Sequence, residues 1–430
     1  METDAKLQTD IPSGSPSKLY GWYVVTVLML CQTLAAMDSK VLFILVEALK
    51  RDLLLSDTQI GLITGPAFSL TYAIAAIPIS KLSDRGIRVH VISGAIVFWS
   101  MLTAIGGLAL GMKTLLLSRI GVAVGEAALT PAAHSIISDY TNKTNRPKAI
   151  AVYSLGLAIG TFLALSLGGF LNDQLGWRMT LFIIGAAGIV LCVLALTTIR
   201  EPEREQATGT RELPKGNFGS LLHNKPVRNL MLGGAVLGLS SGALGAWAPA
   251  YVMRTFDLTA TETGASFGAV AGLTAILGIL GGGFIGGWLE KYGARRAYNV
   301  LALAFVIAMI AQIGSLLTSN YLLFIILTAI SIFLVAFYLA PTYSTIQSAV
   351  DPSARSFAAA VTMFCISGIG MASGAFICGL FSDLLRPVYG EESLRAALVI
   401  LSFFKLWGAV HYVLVGRHLA DVLESEDGGL

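Results

Sequence analysis

The chain has 430 residues, 55% of them hydrophobic and 13% charged, with a net charge of +3. A soluble domain carries about 25% charged residues, so the composition excludes an ordinary soluble enzyme and indicates an all-α polytopic membrane protein. The small, scattered positive charge excludes a nucleic-acid partner, and Cys31, Cys192, Cys365 and Cys378 lie singly in apolar runs, without the close pairing of a zinc or redox site.

Residues 1–20 read as a polar cytoplasmic tail with neither a signal-type apolar core nor a lipidation motif, so the first span is expected to direct insertion. A helix needs about 20 apolar residues to cross the hydrocarbon core. On that ruler residues 21–199 form a six-helix half, with spans at 22–45, 59–80, 89–110, 115–138, 149–171 and 179–199. A polar cytoplasmic linker at 200–229 leads to a second six-helix half at 230–416, with spans at 230–252, 264–287, 297–317, 321–350, 357–381 and 394–415, and a cytoplasmic tail at 417–430. With both termini inside, cytoplasmic segments hold 19 lysines and arginines and outer loops hold 7. That bias places both termini in the cytoplasm, with a bacterial inner membrane as the expected location.

The two halves repeat at a fixed offset. "SKLSDRGIR" (80–88) follows the second span and "GGWLEKYGARR" (286–296) the eighth, matching Asp84 to Glu290 and Arg85 to Lys291 at 206. Gly169 with Asp173 recurs as Gly379 with Asp383 at 210, Pro131 matches Pro341, and Arg146 matches Arg355. Duplicated six-helix halves are a transporter architecture, with the substrate site near mid-membrane between them.

The fourth span, "LLLSRIGVAVGEAALTP" (115–131), carries Arg119 and Glu126 inside its apolar run, and the first span carries Asp38. Ionisable groups at bilayer depth cost about 2.5–3.5 kcal/mol each on insertion scales, so they mark function. Seven residues separate Arg119 from Glu126, which puts them on one helix face about 10 Å apart and rules out a direct pair. The equivalent positions of the second half hold Gly245, Ala329 and Ala336, so only one wall of the expected cavity is charged. Ser240, Ser241 and Trp247 of the seventh span, with Phe337, Tyr338 and Tyr343 of the tenth, are expected to complete it opposite Asp38, Arg119 and Glu126. A cavity charged on one side and apolar on the other suits an amphiphile.

His134, one turn after Pro131, reads as a packed histidine serving the carbonyl that Pro131 frees. Lys405, mid-span in the twelfth helix, and His411 have no assigned role. "GLSSG" (238–242) matches a hydrolase nucleophile motif but falls inside a helix, and no phosphate-binding G-x-x-x-x-G-K-[ST] run exists. No enzyme activity, metal or cofactor is expected.

At these motifs the chain resembles the major facilitator superfamily along essentially its whole length. The 80–88 loop resembles that superfamily's G-x-x-x-D-R-x-G-R pattern with Ser80 and Ile87 replacing both glycines, while the second copy keeps Gly286, Gly293 and Arg295. Within it, "MD" (37–38), "FWSMLT" (98–103), "SRIGVAVGEA" (118–127), "SARS" (353–356) and "ESLRAAL" (392–398) resemble the spinster family. "AAMDSK" (35–40) departs from that family's N-Y-M-D-R by placing Ser39 at the arginine, and Lys40 points about 200° around the helix from Asp38.

The resemblance implies proton-coupled secondary active transport by alternating access, driven by the proton gradient, with a lysolipid- or sphingolipid-like substrate. It implies proton coupling by Glu126, Asp38 and Arg119, and a cytoplasmic latch of Asp84, Arg85, Arg88, Arg146, Glu290, Lys291 and Arg295. The expected partners are membrane lipids and a small amphipathic or anionic substrate, and a monomer is expected to function. "GEA…P" and "LGWR" (175–178) also resemble organic anion symporters of the superfamily, the alternative reading, with an uncoupled facilitator as the other. Thr161 after Gly160 breaks the G-P-x-x-G-G signature of proton-drug antiporters.

Overall fold

In lipid, backbone groups find no water, so a spanning chain must satisfy them internally and helices result. The computed structural model describes residues 18–85, 87–142, 144–202 and 218–427; the predicted N-terminal tail up to 17, linker residues 203–217 and the last three residues lie outside them. Among the described residues, ten helical stretches are long and apolar enough to cross a membrane. Two of them, 53 residues over Arg146–Thr198 and 64 over Phe357–Ala420, are too long for one crossing, since about 20 residues already span the core. The first turns at Gly176, whose φ of 80° and ψ of 161° suit glycine, and the second turns at Gly390, with φ 55°. Each therefore holds two of the predicted spans, and the twelve expected crossings are present in two six-helix halves.

The fourth span runs from Met112–Glu126 to Leu129–Tyr140, loosened immediately after Glu126. Pro131 has no N–H for the carbonyl one turn earlier, so the backbone slackens there. The tenth span repeats this, Tyr321–Ala336 then Leu339–Ala349 ahead of Pro341. The break belongs to the duplicated fold; the charge at its edge belongs to the first half alone. Two π-helical segments, Gly264–Gly268 and Phe364–Met371, interrupt the eighth and eleventh spans of the second half.

Polar contacts joining the halves gather at the end of the bundle remote from the termini. The Gly/Asp repeat explains them. A Cβ on Gly169 would lie 2.3 Å from the Ala260 carbonyl oxygen, and one on Gly379 would lie 2.2 Å from that of Asp57, so only glycine allows the fifth and eleventh spans this close to the opposite half. One turn further on, Asp173 accepts hydrogen bonds from the Thr261 amide and hydroxyl, both at 2.7 Å. Asp383 likewise accepts from the Thr58 amide at 2.7 Å, its hydroxyl at 2.6 Å and the Asp57 amide at 3.1 Å. Each carboxylate thus meets the positive N-terminus of a helix in the other half. Arg254 adds bonds to Glu47 at 2.8 Å and to Asp57 at 3.1 Å, and Ser382 donates to Asp57 at 2.6 Å.

Candidate functional site

Asp38 and Arg119 are 1% and 3% exposed, and spans one and four bring them together. Arg119 Nη1 donates to Asp38 Oδ1 at 2.8 Å and Nη2 to the Asp38 carbonyl at 3.3 Å. Thr103 of the third span donates to the other carboxylate oxygen. The guanidinium also lies 5.1 Å from the centroid of Phe68, on the second span, a cation–π contact. Four helices therefore converge on one buried ion pair. Glu126 is 5% exposed, and its Oε1 has no hydrogen-bond partner among the described residues. The charges that act on it are Asp38, Arg119 and Lys40, and the Lys40 ammonium stands 5.0 Å from the Phe43 ring centroid. The two-turn separation of Arg119 from Glu126 thus leaves one acid paired and the other alone.

Thr103 is a site residue that charge reasoning missed, since a hydroxyl in an apolar span carries no distinctive signal; it closes the "FWSMLT" motif. The predicted opposite wall is distributed differently. Ser241 and Tyr343 are half-buried, while Ser240, Trp247, Phe337 and Tyr338 are buried in the packing of the second half. Ser240 accepts from Lys405 Nζ at 3.0 Å, Trp247 donates to the Ala375 carbonyl at 2.8 Å, and Phe337 packs edge-on against Phe333 with centroids 4.8 Å apart. Lys405, left unassigned by the sequence, is 1% exposed and also donates to Gln312 of the ninth span. Its long stem carries the amine inward, away from lipid. His411 meets Asn229 at 2.9 Å.

His134 departs from the sequence reading: it is exposed rather than packed, its ring edge-on to Tyr153 at 5.3 Å. Of the predicted latch, the side chains of Asp84, Arg85 and Glu290 lie outside the described part. Arg88 is buried, bonded to Asp139 at 2.5 Å and to Glu201 at the start of the linker at 2.7 Å, and Arg146 donates to the Ser138 carbonyl at 2.9 Å, so neither reaches the second half through these bonds. Lys291 and Arg295 are exposed. Among the described residues no group of three His, Cys, Asp or Glu side chains is placed to hold a metal ion.

The sequence model described as the Major Facilitator Superfamily matches residues 28–415. An MFS-type efflux pump of Mycolicibacterium smegmatis is 30% identical over 407 residues, covering 94% of this chain and 95% of the relative. The sphingosine-1-phosphate transporter SPNS2 of Xenopus tropicalis is 23% identical over 465 residues, covering 97% and 88%. The crystal structure of a bacterial homolog of the human lysosomal transporter Spinster, inward-facing and unoccupied, superposes with a TM-score of 0.85 at 28% identity, covering 94% of this chain and 99% of that one.

Proposed function

The chain belongs to the Major Facilitator Superfamily, and from that premise we propose that it is a proton-coupled transporter that moves a single-chain, lysolipid- or sphingolipid-like amphiphile by alternating access. It is a spinster-like membrane transporter and not an enzyme. In this reading it works as a monomer in a bacterial inner membrane with both termini in the cytoplasm, and the proton gradient supplies the energy. Closure at the end remote from the termini then corresponds to the inward-facing state, in keeping with the similar structure.

One observation carries the coupling: a buried Glu126 oxygen without a partner among the described residues, while Asp38 and Arg119 are bonded to each other and Thr103 to Asp38. Desolvation favours a neutral acid, while an approaching cation favours its carboxylate. A movement of the first span that takes Asp38 from Arg119 would free the guanidinium toward Glu126 and change which acid holds the proton. Paired buried ions contribute little net stability compared with apolar packing, which supports a switching role for this pair.

The test is transport in proteoliposomes. Glu126→Gln, which mimics the protonated acid, keeps substrate exchange at equal pH and loses accumulation driven by a pH gradient. Full accumulation by Glu126→Gln would overturn the coupling. Transport of sugar acids with inert amphiphiles would replace the substrate class by the organic-anion alternative.

A further inference from the structure

We propose that the substrate's polar group is an uncharged, hydroxyl-bearing head, held by Gln32, Thr130, Tyr153 and His134 rather than by the buried charges. This rests on the amphiphile reading above and narrows it. Asp38 and Arg119 are bonded to each other, with Thr103 on the remaining carboxylate oxygen, and both are almost fully buried. A head group binding there would first have to break a buried ion pair.

The accessible polar surface on the same half lies one and two turns beyond Glu126. Glu126, Thr130 and His134 fall at steps of four residues along the fourth span, the spacing that puts side chains on one helix face. The first and fifth spans meet that stripe: Tyr153 donates to Gln32 Oε1 at 2.6 Å and contacts the Thr130 hydroxyl at 3.3 Å. His134 is exposed at its outer end, Gln32 and Thr130 are half-buried, and Tyr153 is buried behind them, its hydroxyl reachable only by exchanging a neutral hydrogen bond rather than an ion pair. Tyr72, from the second span, interacts with Thr130 and with the Glu126 charge. The stripe therefore runs from an open imidazole inward to the unpartnered acid.

The chemistry of these side chains selects the ligand. Hydroxyl, amide and imidazole groups both donate and accept, which matches a glycerol- or sugar-like head whose hydroxyls do the same. None of the four is a fixed cation, whereas phosphate recognition calls for arginine or lysine. The nearest cations in sequence, Lys148 and Arg146, lie five and seven residues before Tyr153, and Arg146 is held on the Ser138 carbonyl, while Lys40 is eight residues from Gln32, about 12 Å along the first span. Because Thr130 sits one turn from Glu126, a hydroxyl seated on the stripe lies close enough to sense whether that acid is protonated.

The test uses the full chain in lipid nanodiscs and single-chain probes sharing one acyl length: a monoacylglycerol, an alkyl glucoside, a lysophosphatidate and a fatty acid. Monoacylglycerol and glucoside should bind more tightly than lysophosphatidate. Tyr153→Phe and Thr130→Val should each weaken those two by about 3- to 10-fold, the loss of one neutral hydrogen bond, and leave the fatty acid unchanged. His134→Ala should act in the same direction, with His134→Gln restoring part of the binding. Unchanged fatty-acid binding also shows that each variant is folded. Preference for lysophosphatidate, or equal weakening across all heads, would overturn the proposal while leaving the amphiphile reading standing. Failure of every probe to bind would remove that reading and this one together.

Discussion

Replacing Asp383 by asparagine tests the doubled clamp that closes the end remote from the termini. Asp383 is half-buried and takes three hydrogen bonds from Asp57 and Thr58 across the interface between halves. Asparagine loses the charge that favours a helix N-terminus, worth about 0.5–1 kcal/mol at such a site. Its amide nitrogen cannot accept, so one of the three bonds is also lost, about 1 kcal/mol more. Together these shift the ratio of closed to open molecules by about 10- to 30-fold. Asp173, the matching residue, is exposed, so Asp173→Asn should give only about a twofold shift, from about 0.5 kcal/mol. The assay is the distance distribution between spin labels placed in the two halves at that end, which should gain a longer component in Asp383→Asn and little in Asp173→Asn. An unchanged distribution in Asp383→Asn, or equal effects from both variants, would refute the argument.

Gly379→Ala should open the same end without altering charge, because its Cβ would lie 2.2 Å from the Asp57 carbonyl oxygen; the same labels report it. Thr103→Val removes a donor from a buried carboxylate and should destabilise the protein by about 1–3 kcal/mol, read as a lower unfolding temperature in detergent. Arg119→Ala leaves Asp38 and Glu126 buried without their cation and should impair both exchange and gradient-driven transport, measured beside Glu126→Gln in proteoliposomes. Asp84→Asn, at the opposite end, should favour the closed arrangement seen here if the 80–88 loop forms the latch that its resemblance implies; unchanged label distances there would remove that role.

Residues that act through their own helix were legible in the order of the chain. Backbone satisfaction in lipid is a local demand, so apolar runs of sufficient length gave the twelve crossings, and Gly176 and Gly390 simply turn the chain where the runs end. Helical spacing separated Arg119 from Glu126, and polarity marked Asp38 as a third buried charge without deciding which of the two it meets. The Gly169/Asp173 and Gly379/Asp383 repeat was equally visible, but not its purpose.

That purpose depends on residues far along the chain: Thr261 lies 88 positions from Asp173, and Thr58 lies 325 from Asp383. Only the closing of one half on the other brings each helix N-terminus to its carboxylate. The same limit hid Thr103, whose hydroxyl matters solely because the third span rotates it toward Asp38, and Lys405, whose amine is drawn between Ser240 and Gln312 instead of resting at the lipid surface. By itself the sequence determined which segments cross the membrane and which charges had to be buried, since hydrophobicity and helical periodicity are properties of neighbours. Tertiary structure decided which buried charge is satisfied and which is left alone, because that choice depends on how separate helices are rotated and seated against one another.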